Sequence, residues 1–178
     1  MAWVILAIVV VVAVAVVAFM WMRMQRSRRL QERFGPEYGR TVERTGDSRA
    51  AEEELRERAK RRDALEIRPL TPESRARFQE RWRAVQARFV DEPQAATADA
   101  DRLIGDAMRE RGYPVEDFEQ RAADVSVDHP DVVEDYRAAH RLSGGGETED
   151  LRQAMVHYRS LFDQLIAADQ PRPAEVTR

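Results

Sequence analysis

The stretch VVAVAVVAFMWMRMQRSRR, residues 11–29, passes from one solvent to another within a single run. Its first half is apolar. Its second half holds Arg23, Arg26, Arg28 and Arg29, with Arg33 close behind. Extended back toward the start, no charged side chain occurs from Ala2 to Met22. As a helix rising ~1.5 Å per residue, that span is about 31 Å long, the thickness of a bilayer's hydrocarbon core. Trp3 and Trp21 then sit near its two ends, about 27 Å apart, where indole rings favour the headgroup level. A cleaved signal peptide has a charged n-region, a shorter apolar core and a small-residue cleavage site. Here no Lys or Arg precedes the apolar run, and the small pair Ala13 and Ala15 lies inside it. Bulky Phe19, Met20, Trp21 and Met22 follow. The sequence therefore predicts a retained transmembrane helix over residues 2–22, with Trp3, Trp21, Arg23, Arg26, Arg28 and Arg29 at the membrane interface.

Arginines flank only the C-terminal end of the span, so the positive-inside rule places residues 23–178 in the cytoplasm. The same arginines can meet anionic lipid headgroups. Charge is uneven along the chain. Residues 23–62 carry 13 basic and 8 acidic side chains, net +5; residues 91–178 carry 10 basic and 20 acidic, net −10. A basic stem leads into an acidic distal region. With 178 residues and no cysteine, the chain has room for about one small domain plus extras. Disulfides, thiol catalysis and Cys-ligated metals are excluded.

Beyond the membrane the periodicity is helical, with no run of strand-like alternation. The stem, residues 23–69, is interrupted at Gly35-Pro36. Its later part, SRAAEEELRERAKRRDALE (residues 48–66), is charged nearly all round. Glu52–Arg56, Glu54–Arg58 and Glu57–Arg61 are i,i+4 pairs, and Ala51, Leu55 and Ala59 make a thin apolar stripe. This reads as a solvated spacer helix, or less favourably as one strand of a coiled coil.

Residues 70–168 read as a compact bundle of about five amphipathic helices. Thr71 can cap the first and Pro72 suits its first turn; Phe78, Trp82, Val85 and Phe89 form its buried face. Pro93 starts the second, which buries Ala96, Ala100, Leu103 and Ala107 and stops at Gly112. A third begins at Tyr113-Pro114 and turns Phe118 inward. A fourth starts near Pro130 and carries Tyr136. After the break at Gly144–Gly146, Thr148 can cap a fifth with Leu151, Met155, Tyr158, Phe162 and Leu165 on one face. The expected core is Phe78, Trp82, Phe89, Leu103, Phe118, Tyr136, Tyr158 and Phe162. Residues 169–178, with two prolines, read as a disordered tail.

Catalytic groupings are not legible. His129, His140 and His157 are spaced by 11 and 17 residues and match no metal-ligand motif. The acidic residues near helix starts suit the helix dipole. There is no phosphate-binding loop and no nucleophile elbow. No cofactor and no metal site are expected. The arginine stem could bind nucleic acid, but it abuts the membrane, has few aromatics and includes Glu32, Glu37 and Glu43, so the bilayer explains it better.

Two resemblances bear on function. His129-Pro130-Asp131, between two helices, resembles the signature of J-domain co-chaperones, and a helix like their third follows at residues 148–165. The preceding helix, residues 115–126, is acidic where theirs is basic, and residues 131–142 look helical where they have a loop. Capping by Asp128 with Pro130 in the first turn accounts for the tripeptide structurally. More extensively, residues 77–140 together with 148–165 resemble a family of uncharacterised bacterial proteins, including actinobacterial ones, labelled as membrane or secreted proteins. That resemblance implies one recurring helical domain over about residues 70–167, with no assigned activity, cofactor or catalytic residue. It also implies that the anchor sits in a bacterial plasma membrane. The expectation is a single-pass membrane protein whose helical bundle binds or scaffolds an unnamed protein partner and is not an enzyme. A homo-oligomer fits the same stripes. The alternatives are a co-chaperone or enzyme centred on His129 and Asp131, or a membrane-tethered nucleic-acid binder.

Overall fold

The structure, a computed structural model, describes residues 2–167; within that range the side chains of residues 2, 4–13 and 23 are outside the description. Met1 and the tail read as disordered, residues 169–178, lie outside the described residues. Among those described, every regular element is a helix: α1 (Ala2–Phe34), α2 (Pro36–Thr45), α3 (Ser48–Asp63), α4 (Pro72–Arg88), α5 (Pro93–Arg111), α6 (Phe118–Asp128), α7 (Val133–Ser143) and α8 (Thr148–Ala167). The protein is all-α. It forms two compact units, Met1–Arg56 and Glu57–Arg178, with α3 running through the boundary.

In the first unit, α1 continues unbroken through the arginine collar for 33 residues. The predicted membrane span falls largely on side chains outside the description, and among the described residues no helix is long and apolar enough to cross a membrane. The helix ends where Gly35 takes φ 45°, a left-handed value that side chains resist. Pro36 then opens α2, its missing N–H falling where a helix start leaves one unpaired anyway. Leu30 and Phe34 of α1 and Ala51 and Leu55 of α3 are buried. The thin stripe Ala51, Leu55 and Ala59 is thus buried, while most other side chains of α3 are exposed or half-buried. Of its predicted pairs, Arg56 does reach Glu52, at 2.9 Å; Glu54 also pairs with Arg44 of α2.

In the second unit five helices, α4–α8, occupy the region read as a bundle. Thr71 caps α4, its Oγ1 accepting from the Ser74 N–H at 3.1 Å, with Pro72 in the first turn. Gly112 ends α5 in the left-handed conformation, φ 101°. α8 packs on α5 and α7, α4 lies on α5, and α6 lies on α7. Phe78, Trp82, Leu103, Tyr136, Tyr158 and Phe162 are buried. Each such side chain contributes roughly 1.5–3 kcal/mol or more by leaving water. Phe89 and Phe118 pack against this core from its margin and stay partly exposed.

Two helix starts differ from the sequence expectation. α6 begins at Phe118 rather than Tyr113, because Asp117 is extended and its carboxylate accepts from the Gln120 N–H at 2.9 Å, a stronger cap than the prolyl turn ahead of it. α7 begins at Val133, three residues past Pro130, after a turn closed by Val132 N–H to His129 carbonyl at 3.2 Å. The second unit also takes in the connector after α3. Leu65 and Ile67 pack on the core, Leu70 is buried, and the Arg68 N–H donates to the Arg111 carbonyl at 2.8 Å.

Candidate functional site

Polar side chains converge at two places in the bundle. At the first, the end of α6, the Arg62 Nε–H is shared between both Asp128 oxygens, each at 2.7 Å. The Tyr113 hydroxyl, on a ring only 2 % exposed, donates to the same carboxylate. Burial first, and the hydrogen bond to Asp128 second, push the Tyr113 phenol far above its ordinary range. It stays a proton donor at any physiological pH. Arg111 is buried beside them and donates from Nη1 to the Leu165 carbonyl at 2.7 Å, satisfying an orphan acceptor in the last turn of α8.

His129 belongs to this cluster. Its N–H ends α6 by donating to the Val125 carbonyl at 2.8 Å. The imidazole is 8 % exposed, and its Nε2 has no hydrogen-bond partner among the described residues. Burial, reinforced by the Arg111 charge, lowers its pKa against the opposing pull of Asp128. Asp131 stands exposed on the turn beyond. The two polar members of the His-Pro-Asp tripeptide are therefore in different environments, one inside and one in solvent. The remaining histidines do edge packing: His140 stacks on Phe118 with ring centres 3.7 Å apart, and His157 Nδ1 lies 2.9 Å from Asp135. Among the described residues no three of His, Asp or Glu gather in a way that could hold a metal ion.

At the second place α4, α5 and α6 border a cleft of about 670 Å³. Its walls carry both charges in pairs. Arg81 and Arg109 meet Asp106 at 2.7 and 3.0 Å, Arg102 meets Asp99 at 3.0 Å, and Arg121 meets Asp101 at 3.6 Å. Gly105 leaves room for the Arg121 guanidinium, which a β-carbon there would approach to 3.1 Å. Arg121 also lies over the Phe118 and Tyr136 rings, 5.9 and 6.0 Å from their centres. The Tyr136 hydroxyl and one Asp101 oxygen are buried without a hydrogen-bond partner among the described residues. The solvent-facing pairs of Arg81 and Arg109 with Asp106 suit recognition of a polar surface, since each can re-pair with an incoming group.

Sequence reading anticipated neither Arg62 with Asp128 nor Asp101 with Arg121. Asp128 stood out only as a cap, and nothing local ties Arg62 to a partner 66 residues away. Of the interface residues, Trp3 and Trp21 are 83 % and 60 % exposed, and Arg26, Arg28 and Arg29 are exposed. The Arg23 side chain lies outside the description. Comparison of the chain with protein-family models, with curated proteins and with solved structures finds no match.

Proposed function

We propose that this is a single-pass membrane protein that holds a helical binding or scaffolding module at the cytoplasmic face of a bacterial plasma membrane. One observation carries the reading: the uncharged run of residues 2–22 and the arginine collar belong to one unbroken helix, Ala2–Phe34. A continuous helix satisfies its own backbone hydrogen bonds, the requirement for a segment in hydrocarbon. The exposed Trp3 and Trp21 suit the two headgroup layers. The bundle's role as a binder is supported by the charged cleft of α4–α6.

Topology is tested by fusing a reporter active only in the cytoplasm to the C-terminus. Signal in intact cells supports the orientation; silence, with the fusion present, reverses it. The binding role is tested by crosslinking in intact cells and comparing the chain with Arg81→Glu and Arg109→Glu in the cleft. A specific crosslinked partner lost in these variants supports the role, and no specific partner refutes it.

A further inference from the structure

Where α1 leaves its apolar stretch, the first unit carries a second cleft, of about 380 Å³. Phe19 and Met22 of α1 line one side. Arg26 of α1 and Arg49, Glu52 and Arg56 of α3 are among the residues that line the other. Glu52 holds the two helices together. Its Oε1 accepts from Ser27 Oγ at 2.6 Å and from the Tyr38 hydroxyl of α2 at 3.3 Å. Its Oε2 accepts from Arg56 at 2.9 Å, and Arg56 also reaches Glu53. The two acids are therefore engaged with Arg56. Arg26 and Arg49, by contrast, make no guanidinium hydrogen bond or ion pair among the described residues. The cleft so presents two uncommitted guanidinium groups beside an apolar wall, at the level where residue 22 ends the uncharged run.

We infer that this cleft binds the phosphate of an anionic membrane lipid, with Arg26 and Arg49 as its donors and the lipid's first apolar carbons against Phe19 and Met22. The inference rests on the anchor reading above. Guanidinium is planar, always charged and forks to match phosphate oxygens, so two of them lining one cleft suit a phosphate better than a diffuse cationic surface does. The apolar wall selects the source. A soluble phosphate would leave Phe19 and Met22 uncovered, whereas a phospholipid covers both halves. Arg49 is the distinguishing residue. It lies on α3, apart from the collar, and its neighbour three residues on, Glu52, bonds Ser27 of α1.

The test is native mass spectrometry of the full chain in detergent, titrated with phosphatidylglycerol or phosphatidylcholine. Phosphatidylglycerol should be retained in preference. Arg26→Gln and Arg49→Gln should each weaken its retention by about fivefold, the effect of one arginine near an anionic lipid surface. Arg28→Gln, in the collar but outside the cleft, should weaken retention less than either. Equal losses in Arg28→Gln and Arg49→Gln would mean a nonspecific collar and overturn the site. Displacement of the lipid by millimolar inorganic phosphate would make the ligand a soluble anion and overturn the lipid assignment, as would retention of both lipids alike. Extraction of membranes with alkaline carbonate separates this from the anchor: a chain that stays in the pellet but shows no lipid preference loses only the cleft, whereas a chain that is extracted loses both.

Discussion

The Trp82 and Phe162 rings stack 4.6 Å apart, their planes inclined by 15°, and so join α4 to α8. Both rings are buried. α4 makes its main packing contact with α5, and this stack ties it directly to the last helix as well. Trp82→Ala should lower stability by about 3–5 kcal/mol through lost burial and the cavity left behind. A double-mutant cycle with Phe162→Leu should show a coupling of about 0.5–1.5 kcal/mol. Denaturant unfolding of the full chain in detergent measures both. An unchanged midpoint for Trp82→Ala would place the ring outside the working core.

Asp128 ties three segments, through Arg62 in the last turn of α3, through Tyr113 after α5, and at its own place at the end of α6. Asp128→Ala leaves the buried Tyr113 hydroxyl without its acceptor, which should cost about 1–3 kcal/mol. Asp128→Asn keeps an acceptor for Tyr113 and should recover part of that loss. The same unfolding experiment reads this difference, and equal stability of Ala and Asn variants would contradict the hydrogen bond's role.

His129 predicts a pH dependence. Its folded pKa is lowered by burial and by Arg111, so the unfolded chain binds the proton more readily, near its ordinary value of ~6.5. Its contribution to stability is complete above that pH. It declines as pH falls below it toward the folded pKa, with a slope of at most about 1.4 kcal/mol per unit. His129→Gln should flatten that part of the profile while costing little at pH 8. A co-chaperone or enzyme centred on this residue would instead lose its function with stability intact.

Gly112 is held at φ 101°, and a β-carbon there would lie 2.6 Å from the Glu66 carbonyl oxygen. Gly112→Ala should cost at least about 1–2 kcal/mol for the left-handed backbone alone, with the backbone clash added. Gly146→Ala meets nothing within 4 Å and should be tolerated. Parallel thermal melts of the two variants check the contrast; matching melting temperatures would contradict it.

The bundle was legible where strong local signals coincide. Thr71 and Pro72 mark the start of α4 and Gly112 the end of α5, while Phe78 and Trp82, and Tyr158 and Phe162, recur at helical spacing on faces that are buried. Tyr113-Pro114 misled because a proline that suits a first turn is only permissive, while Asp117 makes an actual capping bond. α3 was ambiguous because Ala51, Leu55 and Ala59 are too narrow a stripe to tell a covered helix from a solvated one. The polar clusters were not legible at all. Arg62, Asp101 and Arg121 are ordinary members of charged faces, and only the packing of distant helices brings their partners within reach.

The tether itself is tested most directly by the intact mass of the chain recovered from carbonate-washed membranes. A membrane-retained chain whose mass includes residues 2–22 is the predicted result. A shorter form in the medium, beginning past Trp21, would contradict it.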